Sequence, residues 1–377
     1  MKKKINIGLI GHKFMGKAHS HAYKDLNMFF ELKSDIIMHT LCGVEDDLWD
    51  TAEKYGFLNA EKNWVSVVNN PDIDIIDICT PDSSHVEIAV AAAQAGKHII
   101  CEKPMAINYS EACEMFRAVI ENNVKNMCNF VYRGVPAIKL AKSIINSGKI
   151  GEIYNYRAQY LQDFALSPEF PFVWRMDKKV AGAGIIGDKG AHVIDLARYL
   201  VGEINEVAAQ SKVLMAQRKT ADGTGVKNVT TSDTAIFMAN FENGALGIFE
   251  LSNMAAGRKN AMLIEINGSM GSIVFDLERL NELKVYYAKD DLAEQGFKTI
   301  NVTEKAHEYM ANWWPSGHIL GWEHAFLHQL YELIRAVEND TQNESNFIDG
   351  MKCQRIVEAI AKSDEQHNWV KISEIGV

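Results

Sequence analysis

The run Ile5-Asn6-Ile7-Gly8-Leu9-Ile10 constrains the fold most. It is apolar on both faces and passes directly into Gly11-His12-Lys13-Phe14-Met15-Gly16 and a helical pattern beginning near Lys17. A strand buried on both sides, then a glycine-bounded turn, then a helix is the opening unit of a parallel α/β sheet. The turn stands where a dinucleotide-binding fold keeps its G-x-G-x-x-G sequence, with pyrophosphate at the helix amino terminus. Lys13 replaces the middle glycine, so either the diphosphate lies displaced or the ammonium helps to neutralise it. Tight strand-to-helix turns also occur where nothing binds, and the rest of the half has to decide.

Strand patterns recur at Ile36–Gly43, Ile73–Cys79, His98–Cys101 and Lys125–Phe130, with helical patterns at Asp47–Tyr55, Ser84–Ala95 and Ser110–Asn122 between them. Alternation of this kind predicts a doubly wound parallel sheet, whose ligands sit beyond the carboxyl ends of the strands. Cys42, Cys79, Cys101 and Cys128 fall near those ends. Their irregular spacing suits small apolar fillers better than a metal or redox cluster. After the second strand come Glu45 and Asp46 and no arginine. Carboxylates there accept from ribose hydroxyls, so NAD is favoured over NADP; the other reading is that they solvate the next helix. Thr80-Pro81 with His85 follows the third strand, and Glu102-Lys103-Pro104 follows the fourth. A lysine at a strand's carboxyl end is a salt-bridge partner in most settings, but beside a nucleotide cleft it is placed for chemistry.

In Gly182-Ala183-Gly184-Ile185-Ile186-Gly187-Asp188-Lys189-Gly190-Ala191-His192-Val193-Ile194-Asp195, three polar residues fall at helical spacing. Asp188, His192 and Asp195 at i, i+4 and i+7 share one helix face. A carboxylate one turn before a histidine fixes its tautomer and raises its basicity, as proton transfer requires. The competing reading is a buried Asp-His pair that holds a helix start. A metal pair also uses this spacing, but no third ligand is in reach, so no metal is expected.

The second domain begins after Gly134, giving 1–134 and 135–377, with the carboxyl-terminal helices able to pack back on the first domain. Ile153–Asp163 alternates as a strand with one polar-aromatic face that includes Tyr160 and Gln162. An aromatic loop ending in Trp174-Arg175 follows, and six further strand patterns run from Val207 to Tyr287, with Asn243-Gly244 as a hairpin turn. A second aromatic loop, Asn312 to His318, precedes two amphipathic helices at Gly321–Val337 and Asp349–Ala361. Aromatic rings beside amide, carboxylate and arginine suit a sugar, which offers apolar C–H faces and polar edges. The candidate substrate residues are Arg133, Tyr160, Gln162, Asp163, Trp174, Arg175, Asp188, His192 and His318. Single aromatics are more often core residues than ligand platforms.

A formal net charge of −10 argues against a nucleic-acid surface or an anionic membrane as partner. No apolar run reaches the length of a membrane span, and Met1-Lys2-Lys3-Lys4 leads straight into a strand rather than a signal segment. The six cysteines contain no C-x-x-C, which predicts a cytoplasmic home.

Gly8-Leu9-Ile10-Gly11 with Phe14-Met15-Gly16, Thr80-Pro81 with His85, Glu102-Lys103-Pro104, and Gly184 through Asp195 together resemble the Gfo/Idh/MocA oxidoreductases. The chain is also similar to the levoglucosan-dehydrogenase-like branch, whose members form 3-keto sugars. The resemblance implies a Rossmann domain followed by a domain with an open, mostly antiparallel sheet, and NAD-dependent oxidation of a sugar or polyol hydroxyl. It places Lys103, Asp188 and His192 on the family's catalytic positions. It places Gly11, Lys13, Phe14, Met15, Glu45, Asp46, Thr80, Pro81, His85, Glu102 and Lys103 around the cofactor. By pattern and resemblance together, the outer face of the second sheet is expected to form a homodimer or homotetramer. Two rival activities stay open from sequence: redox-neutral glycoside cleavage with retained NAD, and nucleotide-dependent sensing without turnover.

Overall fold

The computed structural model describes residues 2–376 and divides into two compact units, Met1–Gly134 with Gly321–Lys352 and Val135–Leu320 with Cys353–Val377. In the first, β1 (Lys3–Ile10), β2 (Ser34–Cys42), β3 (Asn59–Glu61), β4 (Ile75–Ile78), β5 (His98–Cys101) and β6 (Asn126–Cys128) form one sheet. Its order is β3-β2-β1-β4-β5-β6, and every pairing is parallel. Helices α1 (Phe14–Phe29), α2 (Leu48–Tyr55), α3 (Trp64–Val68), α4 (His85–Gln94) and α5 (Tyr109–Glu121) alternate with the strands. The order reverses between β1 and β4, where ligands of such sheets bind. Covered faces explain the apolar strands: Ile75, Ile76 and Ile78 are inaccessible to solvent, and so is Asp77 among them. A carboxylate in that position demands partners.

The second unit opens with α6 (Pro136–Asn146) and β7 (Ile153–Leu161), followed by the short α7 (Lys178–Ala181) and α8 (Ala191–Leu200). After β8 (Ile204–Lys212), a separate hairpin of β9 (Gln217–Lys219) and β10 (Val226–Asn228) stands outside the main sheet. The remaining strands are β11 (Thr234–Phe241), β12 (Leu246–Ser252), β13 (Ala261–Gly268), β14 (Gly271–Asp276), β15 (Glu282–Tyr287), β16 (Lys298–Asn301) and β17 (Val370–Lys371). Nine strands make one sheet ordered β16-β15-β14-β13-β7-β12-β11-β8-β17, antiparallel except for the β12–β7 pair. On β11 the inner residues Ala235, Phe237, Ala239 and Phe241 are buried, while Ile236 and Met238 on the outer face are about half exposed. Alternation with apolar residues on both faces is unusual for a sheet with one wet side. Helices α9 (His324–Asn339) and α10 (Phe347–Gln366) lie between β16 and β17 in the chain, and α9 packs on α1.

Two elements depart from the sequence reading. The strand expected at Val207–Met215 runs instead from Ile204 to Lys212. Asp233 ends it, because its carboxylate accepts the Leu214 and Met215 amides at 2.7 and 3.0 Å. The helix expected to hold Asp188, His192 and Asp195 on one regular face begins as a π-helical turn, Ile186–Gly190, and becomes α-helical only at Ala191. Asp188 keeps 24 % of its side chain exposed, whereas Asp195 is 1 % exposed.

Candidate cofactor and substrate sites

In the first unit the β1–α1 turn is closed by sterics. Gly11 has φ +99°, and a Cβ there would lie 2.6 Å from the Cys79 carbonyl oxygen. A Cβ on Gly16 would lie 1.9 Å from the Gly11 carbonyl oxygen. Helix α1 starts without a side-chain cap or an acidic residue in its first turn. Its leading amides and positive dipole end therefore suit a phosphate. Lys13 occupies the N-cap position and Met15 follows in the first turn, while exposed Phe14 stacks on Trp322 with ring centroids 5.7 Å apart.

The carboxylates after β2 sort themselves by partner. Asp47 accepts from Lys13 Nζ at 3.1 Å and lies 3.2 Å from Nε2 of buried His12. Glu45 lies 3.5 Å from His12 Nδ1 and 3.9 Å from Lys13. The hydrogen bonds from Lys13 and His12 hold the Asp47 carboxyl below its ordinary pKa. Asp46, the sequence candidate, is fully exposed and pairs with Lys62 at 3.1 Å. Asp47 takes its place at the turn. Sequence reasoning missed both His12 and Asp47, although each lies within two residues of a position it named.

The loops after β4 and β5 are tied together from beneath. The His85 ring is fully buried, with its two nitrogens 3.0 Å from the Thr80 carbonyl and 3.1 Å from the Pro104 carbonyl. Burial lowers its pKa, so the neutral ring carries a single N–H, which donates to one of the two carbonyls. His85 thus packs from inside between the loop carrying Thr80 and Pro81 and the loop carrying Glu102 and Lys103. A second buried histidine went unnoticed in the sequence. His19 on α1 meets Asp77 at 2.8 Å through Nδ1 and Glu102 at 3.0 Å through Nε2. Asn129 donates to the same Glu102 oxygen at 2.6 Å, and the other Glu102 oxygen accepts the Lys103 amide at 3.1 Å. Burial alone would lower the His19 pKa, but Asp77 and its hydrogen bond carry it well above 6.5. Burial opposes the Glu102 charge, but the His19 contacts, Lys103 and Asn129 bring its pKa below 4.5.

His19, Asp77 and Cys79 have ligand atoms within 4.8 Å of one another, yet both imidazole nitrogens are engaged by carboxylates. Burial pushes the Cys42 thiol up to about 12 and also raises Cys79 and Cys101, so these are inert fillers. Arg133, a sequence candidate for substrate, is buried with its guanidinium on the Glu344 carbonyl at 2.6 Å and the Asp349 carboxylate at 2.9 Å. Those partners give it a structural task.

In the second unit, helix α8 lies against β7. The Tyr156 hydroxyl donates to the Val193 carbonyl at 3.1 Å, and the Tyr160 ring lies 5.8 Å from the buried His192 ring. Asn260 gathers the polar end of the strand, accepting from the Tyr160 hydroxyl at 3.0 Å and from Gln162 at 2.6 Å. Asp163 accepts from Lys259 at 2.7 Å and the Gly257 amide at 3.1 Å, and the lysine contact lowers its pKa. Asp188 lies 3.4 Å from Lys189 Nζ and 3.9 Å from Arg175 Nε, and the Arg175 guanidinium stacks 4.3 Å over Trp174. Lys189 is buried, 5.1 Å from the Phe164 ring and 5.7 Å from that of Tyr160. Tyr160, Gln162, Trp174, Arg175, Asp188 and His192 therefore belong to one neighbourhood, to which Lys189 and Asn260 are additions. A lysine directly beside Asp188, in a stretch whose other neighbours are small or apolar, was the available signal for Lys189. His318 is exposed and folded back on the Pro315 carbonyl at 2.7 Å.

Residues 5–130 match the oxidoreductase family with an NAD-binding Rossmann fold, and residues 138–274 match the GFO/IDH/MocA C-terminal domain. The chain is 39 % identical to levoglucosan dehydrogenase of Pseudarthrobacter phenanthrenivorans, over 98 % of this chain and 99 % of that one. It is 28 % identical to myo-inositol 2-dehydrogenase of Thermotoga maritima, over 72 % and 75 %. Among solved structures, an oxidoreductase domain protein from Kribbella flavida superposes with a TM-score of 0.96 at 42 % identity, covering 99 % and 100 %. Levoglucosan dehydrogenase in complex with NADH and levoglucosan superposes at 0.95 with 38 % identity, covering 99 % and 100 %.

Proposed function

The chain belongs to the Gfo/Idh/MocA oxidoreductases, and we propose that it oxidises a secondary ring hydroxyl of a cyclic sugar or polyol, with a levoglucosan-like anhydrosugar as the first candidate. NAD, when bound, takes up the hydride. The α1 amino terminus and Lys13 would hold its pyrophosphate, and Glu45 and Asp47 would accept from its ribose hydroxyls. His192 removes the hydroxyl proton as general base. Asp188, flanked by Arg175 and Lys189, orients it, and Lys103 lowers the energy of the developing alkoxide.

The observation that carries this reading is the strip formed by Tyr160, Gln162 and Asn260 beside His192. It offers hydroxyl and amide groups at the edge of an aromatic ring, which is how a protein meets a sugar's two kinds of surface. Six free cysteines, five of them buried, support placement in the cytoplasm. Among the described residues no helix is long and apolar enough to cross a membrane. The half-exposed Ile236, Met238, Leu246 and Ile248 on the outer sheet face support assembly through that face.

A panel of anhydrosugars, pyranoses and cyclic polyols, followed by NADH absorbance with product analysis, tests the proposal. Stoichiometric NADH with a keto sugar is the expected result. Bond cleavage of a glycoside without net NADH would replace it with the redox-neutral activity.

A further inference from the structure

The loop from Gln162 to Asp177 contains little regular structure, yet it carries Trp174 and Arg175 at its far end. Its backbone carbonyls need donors that secondary structure does not supply. Arg218 of β9, 2 % exposed, provides them. Its guanidinium donates to Ser167 O at 2.9 Å, to Phe170 O at 3.1 Å and to Ala165 O, and lies 5.7 Å over the Phe170 ring. A planar fork with five donors can serve three carbonyls at once; a lysine, a single point of charge, cannot.

The hairpin and the residues that follow it add further ties along the same loop. The Phe172 amide donates to Lys219 O at 2.7 Å, the Thr230 amide to Met176 O at 2.9 Å, and the Thr231 hydroxyl to Arg175 O at 3.0 Å. Beneath them Ala165, Met176 and Val229 form a small buried cluster with Phe170, Phe172, Val173 and Met254 packed around it. The hairpin's strands pair only with each other, so its contact with the loop is not a by-product of the main sheet.

We propose that the β9–β10 hairpin is the specificity-determining support of the substrate loop, and that Arg218 is the positioning residue that sets where Trp174 and Arg175 stand. Arg175 then reaches Asp188, so the hairpin governs the wall of the site without touching the reacting atoms. The kinetic part of this inference rests on the dehydrogenase reading; the clamp itself does not.

Arg218→Met and Arg218→Lys, compared with wild type by hydrogen exchange, steady-state kinetics and NAD titration, test it. Exchange rises in peptides covering 163–176 in Arg218→Met, and kcat/KM for the sugar falls by about 10- to 100-fold through KM, because a misplaced wall loses binding shared by ground and transition states. The NAD dissociation constant stays unchanged. Arg218→Lys restores thermal stability in part but leaves KM high. Unchanged exchange in 163–176 overturns the clamp, and raised exchange with an unchanged KM overturns its role in specificity. Raised exchange together with a wild-type enzyme inert on every sugar upholds the clamp and overturns the dehydrogenase reading. Should Arg218→Met fail to fold, Thr231→Val removes one tie only and is read by the same measurements over 173–176.

Discussion

At the scale of single residues, chemistry and structure ask different things of the buried histidines His192, His85 and His19. The His192 ring lies 5.8 Å from that of Tyr160, the His85 ring packs between two loop carbonyls, and His19 stands between two buried carboxylates. Only the first belongs to the proposed substrate site. His192→Ala should lower turnover by about two to four powers of ten, since general acid–base groups contribute that much, while NAD affinity and thermal midpoint stay near wild type. Lys103→Ala should also cripple turnover, and Asp188→Asn should be milder, because the imidazole remains. Turnover of His192→Ala within threefold of wild type would remove the proton-transfer role.

His19 predicts a stability effect instead. Removing one member of a buried charged network costs about 3–5 kcal/mol, so His19→Gln should be strongly destabilised at neutral pH. The sign with pH follows from the two shifts. The His19 pKa is raised, so its contribution is complete below about 6.5 and is lost as pH climbs through the raised value. The Glu102 pKa is lowered, so its contribution is complete above about 4.5 and is lost as pH falls through the lowered value. Denaturation midpoints of wild type and His19→Gln should therefore converge toward alkaline pH. A gap that widens there would contradict the imidazolium assignment.

At the scale of elements, the β1–α1 turn shows how a departure from a motif is absorbed. Lys13 stands where the middle glycine of the motif would be, and its ammonium is drawn to Asp47 rather than left at the phosphate turn alone. The same pair predicts cofactor choice. A ribose phosphate would face the like charges of Glu45 and Asp47, so NAD should bind more tightly than NADP by roughly tenfold or more. Asp47→Ser with Glu45→Ala should narrow that ratio. Equal dissociation constants in the wild type, measured by fluorescence titration, would refute it. The π-helical turn at Ile186–Gly190 is the other element-scale lesson: residue spacing gives a helix but not the extra residue that widens one turn.

At the scale of the whole molecule, the apolar outer face of the nine-stranded sheet predicts assembly. Ile236→Asp with Ile248→Asp places two charges on that face, both at positions already about half exposed. The folded monomer should tolerate them, and light scattering should report a fall from dimer or tetramer mass to monomer mass. A wild-type chain that is already monomeric at micromolar concentration would end this reading.

What the sequence determined by itself was periodic or sterically forced. Near-continuous apolar strands alternating with helices specify a covered parallel sheet, and Thr234–Phe241 and His98–Cys101 were legible to the residue because each is bounded by its own hydrophobic pattern. Gly11 and Gly16 were legible as a tight turn because only glycine fits there. The three-residue β3, β9 and β10 were not, since they are mostly polar and mostly half-exposed or exposed, without the buried apolar run that marks the equally short β6. Tertiary structure alone decided which polar residues face one another. Arg133 became an ion-pair partner of Asp349 across 216 positions, and Asp47 rather than Asp46 met Lys13. His19 found Glu102 across 83 positions, and Arg218 found the carbonyls of a loop some 50 residues away. A polar side chain's role is set by the partner that satisfies it, and for buried groups that partner comes from wherever folding delivers it.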